Sequence, residues 1–265
     1  MASRFSILSK FHAVARQLAQ QRGLLVILAL LLAWEAAVRL SDNPALVPFS
    51  RVFAAAADAY REGDLVNNYL ASLARVAVGF AAGAAAGLVL GALLGVFRIV
   101  DLVLGPLLTA LRQIPIFGLV PLLGLWFGIG EQAKIVLIAL AAFYPVLLNT
   151  HEGFRGVPRN YREVATILMF SRPQLLRRVL VPCALPSILT GLKHGLSFAW
   201  IAVVAAELFM AAAPGLGNIL QAGREQFRID TVLLGIVLIG GTGALMNYGV
   251  TLLEQRALRW RPAFV

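Results

Sequence analysis

Cysteine and histidine are scarce in this chain of 265 residues, which has one cysteine and three histidines. The single cysteine, Cys183, excludes an internal disulfide and a metal cluster built on cysteine. His12, His151 and His194 match no metal-binding pattern such as HExxH, and the chain has no GxxxxGK(S/T) motif for nucleotide phosphates. The sequence therefore predicts no metal and no cofactor, and any ATP would have to be bound by a partner protein.

Charged side chains are also few, at 14% of the residues, whereas 60% of the residues are hydrophobic. This balance indicates a polytopic membrane protein in a lipid bilayer and excludes an ordinary soluble domain. Lysine and arginine outnumber aspartate and glutamate by 23 to 13, which gives a net charge of +10. In a membrane protein this excess reports orientation, so it does not predict nucleic-acid binding.

Six apolar segments predict six transmembrane helices and an all-α fold. One of the segments is interrupted by Pro115 and Pro121, and another is shorter than the roughly 20 residues that a crossing needs. The cores of the six segments are Leu24–Leu40, Leu73–Phe97, Ile114–Ile129, Ile135–Leu148, Ile188–Ala211 and Val232–Leu253.

The positions of the basic residues predict how the six helices are oriented. If all six cross, most basic residues fall on one side, including the six arginines between positions 152 and 186. By the positive-inside rule, that side is the cytoplasm, and both termini lie there. The predicted parts are a cytoplasmic segment 1–22, a first helix with its extracytoplasmic linker 23–68, a five-helix core 69–254 that includes the loop 152–186, and a cytoplasmic tail 255–265.

The loop 152–186 places an arginine-rich segment between two runs of almost pure hydrocarbon. Pro158 predicts the start of a helix that runs roughly over residues 159–169. Apolar residues in this helix recur at spacings of three and four and form one stripe. An amphipathic loop that binds anionic lipid is the alternative interpretation. The stripe consists of Tyr161, Val164, Ala165 and Leu168.

A second loop helix is expected to begin at about residue 172. Ser171, with Gln174 three residues later, fits a capping box, and a proline in the first turn of a helix is tolerated. Pro182 and Pro186 are expected to end this helix. The predicted loop is thus a helix, a turn and a second helix.

Polar side chains are rare inside the predicted spans, so each is a functional candidate. Glu207 belongs either to the translocation pathway or to a buried hydrogen bond near the outer end of its helix, and both interpretations stay open. Ser197 and Trp200 on the same helix are further pathway candidates, and Lys193 is expected near the cytoplasmic end. Asn247, in the last span, is expected to hydrogen-bond between helices.

Glycine recurs at every fourth position of the second predicted span. On a helix, this spacing forms a groove that lets another backbone approach closely. The glycines are therefore expected to pack inside the helix bundle or at a subunit interface. They are Gly79, Gly83, Gly87, Gly91 and Gly95.

An intramembrane enzyme and an ion-coupled secondary transporter are the alternatives from other functional classes. Residues 195–199 lack the last glycine of the GxSxG pattern, and His194 beside them leaves no obvious oxyanion site. A secondary transporter typically has more spans, inverted repeats and ion-binding carboxylates near mid-membrane. No such repeat is evident, so this transporter class is kept as the second interpretation.

Several motifs, in order, resemble the permeases of nitrate, sulfonate, taurine and thiamine-precursor importers. They are LVPFSRVF, LLGLWFGIGEQAKI, FYPVLLNT, AWIAVVAAEL, PGLGNIL and ALRW, and they extend from about Leu46 to Trp260. The residues Glu163, Val164 and Ala165 resemble the EAA loop of these permeases. The chain departs from the family pattern in two places, where Met169 replaces the usual glycine and Val164 the middle alanine.

The resemblance implies a type I ABC-importer permease in the bacterial inner membrane, with a small solute as cargo. Two permease copies would enclose a pathway, two cytoplasmic ABC ATPases would hold the loops, and an extracytoplasmic solute-binding protein would deliver the solute. The residues that the resemblance assigns to the ATPase contact are Tyr161, Glu163, Val164, Ala165, Leu168, Met169 and Ser171.

Overall fold

A computed structural model describes residues 25–41, 46–210 and 213–259, and all regular secondary structure within these ranges is helical. The predicted all-α class is therefore confirmed. A 3-10 turn, Ile116–Leu119, precedes α5, and a π-helical turn, Leu176–Leu180, joins α8 to α9. The helices are α1 (25–39), α2 (Arg51–Arg61), α3 (Asp64–Val96), α4 (Arg98–Leu111), α5 (Val120–Phe127), α6 (Glu131–Arg155), α7 (Arg159–Ile167), α8 (Arg172–Leu175), α9 (Val181–Phe209), α10 (Leu216–Glu225) and α11 (Ile229–Ala257).

Four helical stretches in the described ranges are long and apolar enough to cross a bilayer. They are Leu65–Val96, Glu131–Arg155, Arg172–Phe209 and Ile229–Ala257. A fifth crossing results if α4 and the segment Ile116–Phe127, which meet at a bend of 85°, act as one broken span. The predicted first span begins before the described residues, and the described part of it, α1, is helical. The predicted segment 1–22 lies outside the described residues.

The predicted span Ile114–Ile129 is wrong as a single helix. Pro115 is extended, and the 3-10 turn after it leaves only eight residues for α5. Eight helical residues rise about 12 Å, less than half of the ~30 Å of hydrocarbon in a bilayer. Ile135–Leu148, in contrast, is the middle of the 25-residue helix α6. The helix extends beyond this short apolar core at both ends.

Helix α6 is the centre of the fold, and both α3 and α9 pack along it. The predicted glycine groove of α3 faces α6 along its length. A Cβ atom added to Gly87 would lie 2.8 Å from the carbonyl oxygen of Phe143, and one added to Gly91 would lie 2.6 Å from that of Leu147. Because both contacts are with backbone that cannot move aside, the glycines allow the two helix axes to come close.

The loop 152–186 contains the two predicted helices, which begin where predicted but end at other residues. Its first helix, α7, begins at Arg159 as predicted, and the second begins at Arg172 as predicted. Pro182 and Pro186 do not end that second helix, because Arg172–Phe209 is one continuous helical stretch. Pro182 lies in the first turn of α9, directly after the π-helical turn, where a change in hydrogen-bond register accommodates its missing N–H group.

Candidate functional site

Helix α7 and the turn after it present an apolar surface to solvent. Its polar flank consists of the exposed side chains of Arg159, Arg162 and Glu163. Contiguous exposed apolar surface of this kind is typical of sites that contact a protein or a membrane. We call this surface the docking face, and it consists of five large side chains, each more than half exposed, which are Tyr161, Val164, Ile167, Leu168 and Met169.

Ala165 does not belong to the docking face, because its side chain is only 3% exposed. It lies on the inner side of α7, the side that is tied to the end of α6. There the guanidinium Nη2 of Arg162 donates to the carbonyl oxygen of Phe154 at 3.0 Å. Ala165 therefore adds no exposed side-chain surface to the docking face, and its small side chain lets α7 pack closely.

Met169 forms the bend between the two loop helices. Its φ angle is +50°, in the left-handed region that normally favours glycine. The amide of Met169 donates to the carbonyl oxygen of Thr166 at 3.0 Å. The amide of the next residue, Phe170, donates to the carbonyl oxygen of Ala165 at 2.9 Å. These two bonds form a Schellman motif. The bend is thus as tight as a glycine would make it, and the Met169 side chain, 90% exposed, projects from the tip.

Ser171 starts the second loop helix, as predicted. Its amide donates to Oε1 of Gln174 at 2.9 Å, and the reciprocal contact of the Ser171 side chain with the helix is also present. This capping box fixes the direction in which α8 leaves the bend. The predicted docking residues from position 161 to 171 thus lie together on one rigid unit, apart from the inward-facing Ala165.

A buried charge cluster lies at the other end of the bundle, around Glu207 near the end of α9. The Glu207 side chain is fully buried. Nη1 of Arg75 donates to its Oε1 at 2.6 Å, and the hydroxyl of Ser72 lies 2.7 and 2.9 Å from its two oxygens. Arg75 also donates two bonds of 2.7 Å to Glu131 at the start of α6. One arginine therefore joins α3, α6 and α9.

The same carboxylate holds the beginning of α10. The first amides of a helix have no acceptor within the helix, and a negative charge near them is favourable. Here the amide of Gly217 donates to Glu207 at 2.9 Å, and the amide of Leu216 donates to the Ser72 hydroxyl at 2.9 Å. A Cβ atom on Gly215 would lie 2.6 Å from both Glu207 oxygens. The carboxylate is enclosed, and this geometry gives Glu207 a structural task.

Sequence reasoning identified Glu207 but not its partners Arg75, Ser72 and Glu131. The signal for Arg75 is its position within an apolar run, where an unpaired arginine would be costly. Which acid it pairs with depends on how three helices pack, and the local sequence does not contain that information. Ser72 carries no distinguishing signal.

Ser197 and Trp200, the other pathway candidates, lie together and apart from Glu207. The indole Nε1 of Trp200 donates to the carbonyl oxygen of Ile239 at 3.0 Å and so ties α9 to α11. The hydroxyl of Ser197 donates to the carbonyl oxygen of Lys193, one turn earlier, at 3.1 Å. Both residues line a crevice between α9 and α11.

The described residues thus form a bundle of long apolar helices with one exposed loop. Residues 83–259 match the family of binding-protein-dependent transport system inner membrane components, and the chain belongs to this family.

Three relatives illustrate the range of this family. The chain is 37% identical to the transport permease protein SsuC of Bacillus subtilis over 202 residues, which cover 76% of this chain and 73% of the relative. It is 36% identical to the taurine transport system permease protein TauC of Escherichia coli over 201 residues, 76% of this chain and 73% of the relative. It is 38% identical to the riboflavin transport system permease protein RibX of Chloroflexus aurantiacus over 241 residues, 90% of each.

Proposed function

We propose that this chain is the membrane-spanning permease subunit of an ATP-driven importer for a small solute, and that a separate ATPase binds its docking face. The observation that carries the proposal is the docking face itself. Five large apolar side chains are exposed on a loop that lies outside the membrane-spanning helices. In the proposed assembly, an extracytoplasmic binding protein supplies the solute, and a second permease copy completes the pathway.

The docking face has the composition of a protein contact. Its centre is apolar and includes Tyr161 and Met169, residue types that are enriched at interfaces, while arginines lie at its edge. A groove on the ATPase would cover Tyr161, Val164 and Leu168, and Glu163 would contact its rim. We place this loop and both termini on the cytoplasmic side, where ATP is available, in the inner membrane of a bacterial cell.

The loop is attached so that a movement of α7 reaches the centre of the bundle. One end of α7 is separated from α6 by only three residues, and the contact of Arg162 with Phe154 reinforces this connection. The other end continues through the Met169 bend and the capped helix α8 into α9. Because α6 packs against both α3 and α9, displacement of the docking face by an ATPase would move the packed core as a unit.

A charge placed within the docking face tests the proposal. Val164→Arg should abolish co-purification of the ATPase, because an arginine in a desolvated apolar contact lacks a partner. Thr166→Arg is the matched control, since Thr166 is exposed on the opposite side of the same helix. Both variants should insert into the membrane at wild-type levels. Full-strength co-purification of Val164→Arg would contradict the docking assignment.

A further inference from the structure

A groove with a volume of about 730 Å³ lies between the end of α9, helix α10 and the first half of α11. Its wall on α11 is formed by apolar residues at helical spacing, Ile229, Val232 and Ile236. They begin a helix that is long and apolar enough to cross the bilayer. From Ile229 to Ile236 this helix rises about 10 Å. The groove therefore extends from the end of the span into the depth of the hydrocarbon.

Helices α10 and α11 meet closely along the groove. A Cβ atom added to Gly223 of α10 would lie 3.0 Å from Cγ2 of Val232. One added to Gly235 of α11 would lie 2.7 Å from Cδ2 of Leu220. Contacts this tight leave no room for the two helices to come closer together. The groove is therefore preformed, and its volume lies within the range of ligand sites.

Phe227 projects from the turn between α10 and α11, at the rim of the groove, and is 91% exposed. Its φ angle is +55°, in the left-handed region. Its amide donates to the carbonyl oxygen of Arg224 at 3.2 Å, and the amide of Arg228 donates to that of Gly223 at 2.7 Å. These two bonds form a Schellman motif, as at Met169. The backbone thus holds an aromatic side chain beside the groove at the end of the membrane-spanning helix.

Arg224 is the charged residue of the lining, and its side chain is exposed. It forms no ion pair with a carboxylate of the described residues, whereas Arg228, one turn later, lies 3.4 Å from Asp230. The neighbouring Glu225 is outside the lining, and its Oε1 accepts a bond of 2.8 Å from Gln221. The guanidinium of Arg224 therefore keeps its donors for a ligand.

We propose that this groove binds a glycerophospholipid, with the phosphate on Arg224 and an acyl chain along the wall of α11. The planar donors of an arginine can form two parallel bonds to phosphate oxygens. Charge and apolar surface follow the same order as in a membrane lipid, because Arg224 precedes the turn at the end of the span and Ile236 lies two turns inside it. Ile236 is 54% exposed, and its surroundings at this depth are hydrocarbon. The inference goes beyond the transport proposal and does not depend on it.

Native mass spectrometry of the purified full-length chain, released from maltoside micelles, tests the site by counting the lipids that stay bound. Phosphatidylethanolamine should bind about tenfold more tightly than a galactolipid with the same acyl chains, because the galactolipid has no phosphate. Arg224→Gln should remove this preference by weakening phosphatidylethanolamine binding about tenfold. Arg61→Gln is the matched control, since Arg61 is an exposed arginine of α2 outside the groove.

Ile236→Trp tests the apolar wall, because the larger side chain fills the groove. Phosphatidylethanolamine binding should weaken in this variant. Val237→Trp, at the next exposed position of α11 and outside the lining, should leave binding unchanged. Added phosphatidylethanolamine should also raise the melting temperature of the wild-type chain in maltoside, and raise that of Arg224→Gln less. Melting temperatures without added lipid verify that each variant is folded.

Three outcomes would overturn the lipid site. The first is equal affinity of the wild-type chain and Arg224→Gln for phosphatidylethanolamine. The second is equal affinity of the wild-type chain for the phospholipid and the galactolipid, which would leave only apolar contact without phosphate recognition. The third is a dimer of the chain that Ile236→Trp dissociates, which would assign the groove to a second copy. These measurements involve no ATPase, so their outcome and that of the docking experiment are separate.

Discussion

Glu207 is buried completely, yet every described group around its carboxylate is complementary to it. A carboxylate in the membrane interior is costly unless it is paired and hydrogen-bonded. Here an arginine, a hydroxyl and a backbone amide surround it at 2.6 to 2.9 Å. At the residue scale, these contacts support a structural role for Glu207, and removal of its carboxylate charge is the test.

Glu207→Gln should destabilise the protein by about 3 kcal/mol, because the buried guanidinium of Arg75 loses one of its two carboxylates. The measurement is thermal unfolding of the purified chain in detergent, and the expected result is a lower melting temperature with poor assembly. Glu152→Gln is the control, since it makes the same exchange at an exposed glutamate outside the cluster. Wild-type melting combined with slowed solute uptake would contradict the structural role and place Glu207 in the pathway.

Met169 gives a second prediction at this scale. A left-handed conformation costs a residue with a side chain roughly 1 kcal/mol, and glycine avoids most of this cost. Met169→Gly should therefore raise the melting temperature, whereas Met169→Ala, which keeps a Cβ atom, should not. If glycine and alanine had the same effect on melting, the left-handed bend would be contradicted. ATPase affinity, measured in parallel, should fall in both variants because the exposed thioether side chain is lost from the docking face.

At the element scale, the packing of α3 on α6 depends on glycines that leave room for backbone. Glycine at every fourth position was sufficient to predict a close helix contact, because on a helix this spacing puts all five glycines on one face. The identity of the facing helix was not predictable, since α6 offers no matching motif. Its own residues at the contact include Phe143 and Leu147, whose backbone atoms form the surface.

Gly87→Leu should lower the stability by about 1–3 kcal/mol, as overpacking of a tight contact does. The added Cβ atom alone would lie 2.8 Å from a carbonyl oxygen of α6, so the helices must move apart. Gly240→Leu is the matched control, because no other described part of the chain lies within 4 Å of a Cβ atom added to this exposed glycine of α11. Equal melting temperatures for the two variants would be inconsistent with the α3–α6 contact.

Proline explains where the element predictions failed. The start of α7 after Pro158 and the start of α8 beside Pro173 were predictable, because proline is well tolerated at the beginning of a helix. Pro182 and Pro186 were expected to end a helix and do not. The π-helical turn before Pro182 alters the hydrogen-bond register, and this turn has no sequence signal separate from an ordinary amphipathic helix.

At the scale of the whole molecule, the two polar regions occupy opposite ends of α6. The charge cluster includes Glu131, the first residue of α6, and the docking loop begins after Arg155, the last residue of α6. A helix of this length spans about 37 Å, enough to cross the hydrocarbon of a bilayer. One rigid helix thus connects the loop that we propose for the ATPase with the region where α10 is held on Glu207.

The membrane class and the loop could be predicted from composition and motif order, because both depend on local sequence. The long-range contacts could not be predicted. Arg75 and Glu207 are 132 positions apart, and Trp200 reaches across 39 positions to Ile239. Such pairs form only when several helices pack together, so the local sequence does not specify them.

Solute uptake into reconstituted vesicles is the most direct test of the claim that this chain is the permease of an ATP-driven importer. With a matching ATPase and solute-binding protein, uptake should require ATP and the binding protein together. The chain alone should move no solute under an imposed proton or sodium gradient. Gradient-driven uptake by the chain alone would contradict the account and establish a secondary transporter.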